Sequence, residues 1–148
     1  MSSYRQILYH IVFRTKESLD TLNQENSREL YYYILGILKN KKCFLYRING
    51  TENHLHLLCD LHPSLALADF IRDVKTATSI WLKQSGKFPK FESWAEGYAA
   101  LTYSWKDKDI IVNYIKNQQE HHKKESFIEE LRRLLQEQGV EINEKYFP

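Results

Sequence analysis

Cysteine is nearly absent from this chain. Cys43 and Cys59 are the only two in 148 residues, and both sit in apolar stretches without metal-ligand spacing, which argues against a disulfide framework or a four-cysteine zinc site. Both are expected as reduced core residues. Long apolar runs are missing as well. No uninterrupted stretch reaches the ~18 residues of a membrane span, and the opening MSSYRQ lacks the apolar segment of an export signal. A cytoplasmic protein without a membrane partner is expected. Charge of one sign is also lacking: Lys and Arg number 21 against 19 Asp and Glu, a net +2. Any claim on nucleic acid must therefore rest on where the cations lie. What is present, 43% hydrophobic and 14% aromatic residues, is enough for one core and too little chain for two typical domains. No internal repeat or low-complexity tract divides residues 1–148, which are read as one domain.

Periodicity gives the order of elements. YRQILYHIVFRTK places Ile7, Tyr9, Ile11 and Phe13 on one face and Leu8, His10, Val12 and Arg14 on the other, predicting a central strand apolar on both sides. SRELYYYILGILKNKK sets Leu30, Ile34, Ile37 and Leu38 at helical spacing and ends in a basic tip that suits a helix C-terminus. CFLYRING and HLHLLCDL predict two strands joined by a hairpin turn at Asn49-Gly50-Thr51-Glu52. SLALADFIRDVKTATSIWLKQSG predicts a second helix, capped by Ser64 and stopped at Gly86. WAEGYAALTYSW predicts a fourth strand, and a helix follows from about Asp107. SFIEELRRLLQEQG predicts a last helix, with Ser126 and Glu129 in capping-box spacing and Gly139 as its stop. The order β, α, β, β, α, β is the split pattern of ferredoxin-like folds. The expectation is an α+β domain with an antiparallel sheet and additional C-terminal helices, the helical tail starting at about residue 125. In that pattern the first and third strands are neighbours, so His54 and His56 would lie beside His10.

The stretch NHLHLLCD is unusual for a buried strand. Alternation puts Leu55, Leu57, Cys59 and Leu61 on one face and His54 and His56 together on the other. Such a pair is most often a pair of rim or hydrogen-bonded histidines, and a metal site needs a third ligand. The helix from Asp107 offers one. Tyr114 and Gln118 share a face at i and i+4, where a plain core stripe would continue with Leu or Ile. The ordinary readings are a packed tyrosine with a bonded hydroxyl and a solvated glutamine. His121 and His122, at a lysine-rich helix end, read as solvated or DNA-facing. Arg14, Lys16, Arg72, Lys75, Lys83 and Lys116 are candidate phosphate contacts among interleaved aromatics, with a mixed solvated surface as the alternative.

Taken in order, YHIVFRTK, NHLHLL, LADFIRDVKTATS, WAEGYAALTYS and YIKNQQEHHKK resemble the single-tyrosine HUH transposases of small single-strand insertion sequences, including their palindrome-associated relatives. The resemblance spans nearly the whole chain. It implies a transposase that binds a divalent metal, magnesium or manganese, through His54, His56 and Gln118, with Tyr114 as nucleophile. It also implies single-stranded DNA with hairpins as substrate, and a homodimer in which Tyr114 acts on the metal site of either its own or the other subunit. His10 and Asp60 are candidate partners fixing the imidazole tautomers. A tyrosine nucleophile conserves the energy of the cleaved phosphodiester as a phosphotyrosine ester, which allows strand transfer without ATP. The alternative is a domesticated DNA-hairpin-binding protein without transposition activity.

Overall fold

The computed structural model describes residues 2–148. Four strands form one antiparallel sheet: β1 (Tyr9–Arg14), β2 (Phe44–Gly50), β3 (His54–Asp60) and β4 (Ala99–Leu101), in the order β2-β3-β1-β4. Helices α1 (Ser27–Asn40) and α2 (Leu67–Gln84) supply the two crossovers, and α3 (Lys108–Lys116), α4 (Gln118–Lys124) and α5 (Phe127–Glu137) follow the last strand. This is the expected ferredoxin-like order. The first and third strands are central, and their register sets Val12 opposite His56 and His10 opposite Leu58.

Because side chains alternate along a strand, the two faces of the sheet differ. Ile11, Phe13, Leu55, Leu57, Cys59 and Leu61 form the main core with Leu30, Ile34 and Leu38 of α1 and Phe70, Ile71, Val74 and Leu82 of α2. Both cysteines are buried and reduced, as expected. The other face packs against α3, α4 and α5 through two small clusters, Leu8 with Leu58 and Ile115, and Val12 with Phe127 and Leu131. His10, His54 and His56 also lie on this face, all but inaccessible.

Four local readings are corrected. The hairpin turn does not fall on Asn49-Gly50, since both residues remain in β2, paired with His56 and Leu55. Gly50 is needed there for space: an added Cβ would lie 2.3 Å from the His54 carbonyl oxygen. The fourth strand is only three residues long, because Gly97, with φ of 83°, turns the chain between Ala99 and the isolated bridge of Trp94 to Thr15. Helix α2 begins at Leu67 without a side-chain cap, and the Ser64 hydroxyl bonds the His62 ring instead, at 2.7 Å. The helix expected to run on from Asp107 is interrupted at Asn117. Asn49 braces that interruption, its amide donating to the Ile115 and Lys116 carbonyls at 3.1 and 3.0 Å. In α5, by contrast, the Ser126 hydroxyl accepts from the Glu129 amide, so the expected cap is present.

Candidate metal and tyrosine site

His54 and His56 point from the middle of the sheet toward the C-terminal helices, where burial would leave their polar atoms costly unless bonded. Each is bonded at both nitrogens. His54 Nδ1 lies 2.7 Å from Asn53 Oδ1 and 3.0 Å from Thr51 Oγ1. His56 Nδ1 lies 2.8 Å from His10 Nε2, and His10 Nδ1 lies 3.0 Å from the Tyr103 hydroxyl. Burial, reinforced by His56, holds His10 well below the ordinary imidazole range; burial likewise lowers His56. Asn53 Oδ1 can accept a hydrogen bond from His54 Nδ1–H. His56 Nδ1 can donate to His10 Nε2, and His10 Nδ1 to Tyr103. Both Nε2 atoms thus face the C-terminal helices, where a proton on either would be donated to a carboxylate and a lone pair would serve a metal.

The two Nε2 atoms converge on a carboxylate that sequence reasoning missed. Glu130 Oε1 lies 3.1 Å from His54 Nε2 and 3.2 Å from His56 Nε2. Gln118 Oε1 lies 3.1 Å from His54 Nε2, and the Gln118 amide donates to Glu130 Oε2 at 2.8 Å. Burial alone would raise the Glu130 carboxyl, but the hydrogen bonds and charge of His54 and His56 carry it well below the usual carboxylate range. One donor atom each from His54, His56 and Glu130 falls within 4.8 Å of the others, and Gln118 adds an amide oxygen. Two nitrogens and two oxygens so grouped suit a divalent transition ion better than the all-oxygen shells of calcium.

Tyr114 lies beside this set, within the same chain. Its hydroxyl donates to Glu130 Oε2 and accepts from Arg133 at 2.8 Å. His121 stacks on its ring at 4.6 Å, and the His122 ring lies 5.9 Å from that of His54, so both are half-buried beside the site and not fully solvated. Burial, and then the Glu130 charge, raise the Tyr114 phenol far above its ordinary value, against the opposing pull of Arg133. In this arrangement the hydroxyl stays protonated.

Asp60 is not with the imidazoles. It lies four residues past His56 on an extended strand, about 13 Å at the usual rise, and pairs with Arg5 at 3.2 Å. The six candidate phosphate cations do not form one patch. Arg72, Lys75 and Lys83 lie on α2 and Lys116 on α3, helices on opposite faces of the sheet. Lys75 donates to the Ala95 and Gly97 carbonyls at 3.0 and 2.6 Å, Lys16 pairs with Glu92 at 3.5 Å, Arg72 pairs with Asp69 at 3.2 Å, and Arg14 donates to Ser18 at 3.0 Å. Lys83 and Lys116 are exposed. One signal pointed to Glu130: it shares a helical stripe with Phe127, Leu131 and Leu134, all buried, where an apolar residue is the rule.

Comparison with known proteins finds the profile of IS200-like transposases over residues 3–118. The transposase for insertion sequence element IS200 of Salmonella typhimurium LT2 is 28% identical over 120 residues, covering 78% of each chain, and its Salmonella typhi counterpart matches equally. Among solved structures, a Deinococcus radiodurans R1 protein described as a transposase superposes with a TM-score of 0.62 at 24% identity, covering 80% of this chain and 95% of that one. A REP-associated tyrosine transposase bound to a REP hairpin superposes with a TM-score of 0.58 at 15% identity, covering 79% and 72%. These two likenesses show the shared fold. No helix among the described residues is long and apolar enough to cross a membrane.

Proposed function

Because this chain belongs to the family of IS200-like transposases, we propose that it cuts and rejoins single-stranded DNA beside hairpins through a phosphotyrosine formed on Tyr114. The observation carrying this reading is convergence on Glu130. One carboxylate is touched by the Tyr114 hydroxyl, both HUH imidazoles and the Gln118 amide, although these groups come from three separate elements. In the first step Tyr114 Oη attacks phosphorus. The tyrosyl O–P bond forms as the bond from phosphorus to the DNA 3′-oxygen breaks. The phenolic proton leaves Tyr114, and a proton ends on the departing 3′-hydroxyl. The DNA 5′-phosphate stays on the protein, and attack by another 3′-hydroxyl reverses the step onto a new strand.

His54 and His56 Nε2, with the Gln118 amide oxygen, are the groups that would hold a divalent cation. When bound, the cation supplies positive charge to the scissile phosphate. Mixed nitrogen and oxygen donors favour manganese or another transition ion over magnesium, and abundant magnesium can serve. His10 acts through His56 by keeping that ring's proton on Nδ1. The partner is single-stranded DNA with hairpins, handled by a homodimer in the cytoplasm. The hydroxyl of Tyr114 reaches Glu130 of its own chain, the contact a centre assembled within one subunit would use.

The test is a nicking assay on a hairpin-flanked single strand. Cleavage should stop in EDTA, return with Mn²⁺ or Mg²⁺, and be absent in His56→Ala protein that still binds the hairpin. Unchanged cleavage in EDTA would remove the metal from the reaction.

A further inference from the structure

The proposed catalytic centre is sealed by a helix outside the segment that the family profile matches, since α5 covers Phe127–Glu137 and the profile ends at residue 118. The seal is nearly complete. His54 is 1% exposed, His56 0%, Gln118 1% and Glu130 3%, so a phosphodiester has no path to the two imidazoles while α5 is docked, although Tyr114 itself is only half-buried. The element that closes the site also brings in an anion. Helix α5 docks by its apolar stripe, and the stripe carries one carboxylate whose two oxygens divide the work of a phosphate between them. Oε1 faces the two imidazole nitrogens at 3.1 and 3.2 Å. Oε2 faces the nucleophile and the Gln118 amide. A scissile phosphate must make the same contacts, with one oxygen toward the metal-holding nitrogens and its phosphorus beside the tyrosine hydroxyl. Arg133, one turn further along α5, also engages Tyr114 and is itself held by Glu125 at 3.0 Å and Glu137 at 3.2 Å.

We propose that Glu130 is a ligand of the metal in the resting protein and that the DNA phosphate displaces it, so that docking of α5, metal binding and DNA entry form one linked equilibrium. The inference rests on the reading of His54 and His56 as metal ligands. It separates two roles within one site: the histidines and Gln118 hold the metal throughout, whereas Glu130 holds it only while the site is closed. A ligand that arrives on a separate helix contributes affinity only when that helix is docked, and whatever removes the helix removes the ligand.

The experiment uses full-length protein without DNA, titrated with Mn²⁺ by calorimetry, with amide hydrogen exchange followed across residues 127–137. Wild type is compared with Glu130→Gln, which keeps the side-chain shape, with Glu130→Ala, and with His56→Ala. Both Glu130 variants should bind Mn²⁺ about tenfold or more weakly, and Mn²⁺ should slow exchange in α5 of the wild type but not of the variants. At saturating Mn²⁺, Glu130→Ala should cut a hairpin-flanked single strand several-fold faster than wild type. Unchanged Mn²⁺ affinity and exchange in both variants, with His56→Ala weakened, would overturn this inference and leave the metal site standing. Unchanged affinity in His56→Ala would overturn the metal site itself. Loss of cleavage in both Glu130 variants, with hairpin binding and unfolding temperature retained, would make the carboxylate a permanent ligand and overturn displacement.

Discussion

The two faces of the sheet are built from alternate residues of the same strands and do opposite jobs. Toward α1 and α2, β1 and β3 present Ile11, Phe13, Leu55, Leu57 and Cys59 to a dry apolar core. Toward α3, α4 and α5 they present His10, His54 and His56, flanked by two apolar clusters of three buried residues each. Neither face is solvent-exposed at its centre, so burial does not distinguish them. What distinguishes them is how burial is balanced: by dispersion and the hydrophobic effect on one side, and by a network of bonded polar groups on the other. One face stabilises the fold with little demand on identity beyond size. On the other, the identity of each side chain matters, because each polar atom is bonded to a particular partner.

Neighbouring residues on β3 test that contrast most strongly. Leu57→Ala should lower stability by about 2–5 kcal/mol, the usual range for an emptied buried leucine site, and leave cleavage intact below its unfolding temperature. His56→Ala should abolish cleavage while lowering stability by only about 1–3 kcal/mol, the scale for unpaired buried polar groups. Denaturant melts and nicking assays on the pair would break the contrast if both variants lost both properties equally. Gly50→Ala should trouble both faces at once, because its new Cβ meets the His54 carbonyl at 2.3 Å and the Leu55 side chain at 2.7 Å. A loss of about 1–3 kcal/mol accompanied by slower cleavage is expected, and a variant matching wild type in both measurements would show that the hairpin can yield.

Asn49→Ala is the next smaller change. It removes the bonds to the Ile115 and Lys116 carbonyls and to Gln119, at a cost of about 1–2 kcal/mol. By loosening the end of α3 it should slow cleavage while hairpin binding holds, measured as single-turnover rate against gel-shift affinity. Asp60→Asn should change least. The Arg5 pair is half exposed at 41% and 27%, so stability should move by less than about 0.5 kcal/mol and cleavage not at all. Weakened Mn²⁺ binding in Asp60→Asn would restore the role of imidazole partner that the geometry denies it.

The contrast between faces was legible in the sequence because strand alternation is local. His54 and His56 on one side, with Leu55 and Leu57 on the other, follow from a period of two, and the order of elements follows from the same patterns. Departures arise where a distant group overrides a local preference. Asn49-Gly50 reads as a turn, yet Asn49 braces a helix 66 residues away in sequence and Gly50 answers to a crowded backbone. Gly97 shortens the fourth strand by a conformation that the strand-like residues around it conceal. Glu130 stands out on the α5 stripe as a misplaced charge, but periodicity cannot say against which surface that stripe docks. His56 is 74 residues away, and only the docked tail brings the two together.

The central claim is that Tyr114 is the nucleophile, and mapping the covalent protein–DNA adduct tests it most directly. After reaction with a hairpin-flanked single strand in Mn²⁺, nuclease digestion and peptide sequencing should place a 5′-phosphonucleotide on Tyr114, and Tyr114→Phe should bind the hairpin and form no adduct. An adduct on any other residue, or an undiminished one in Tyr114→Phe, would contradict the account.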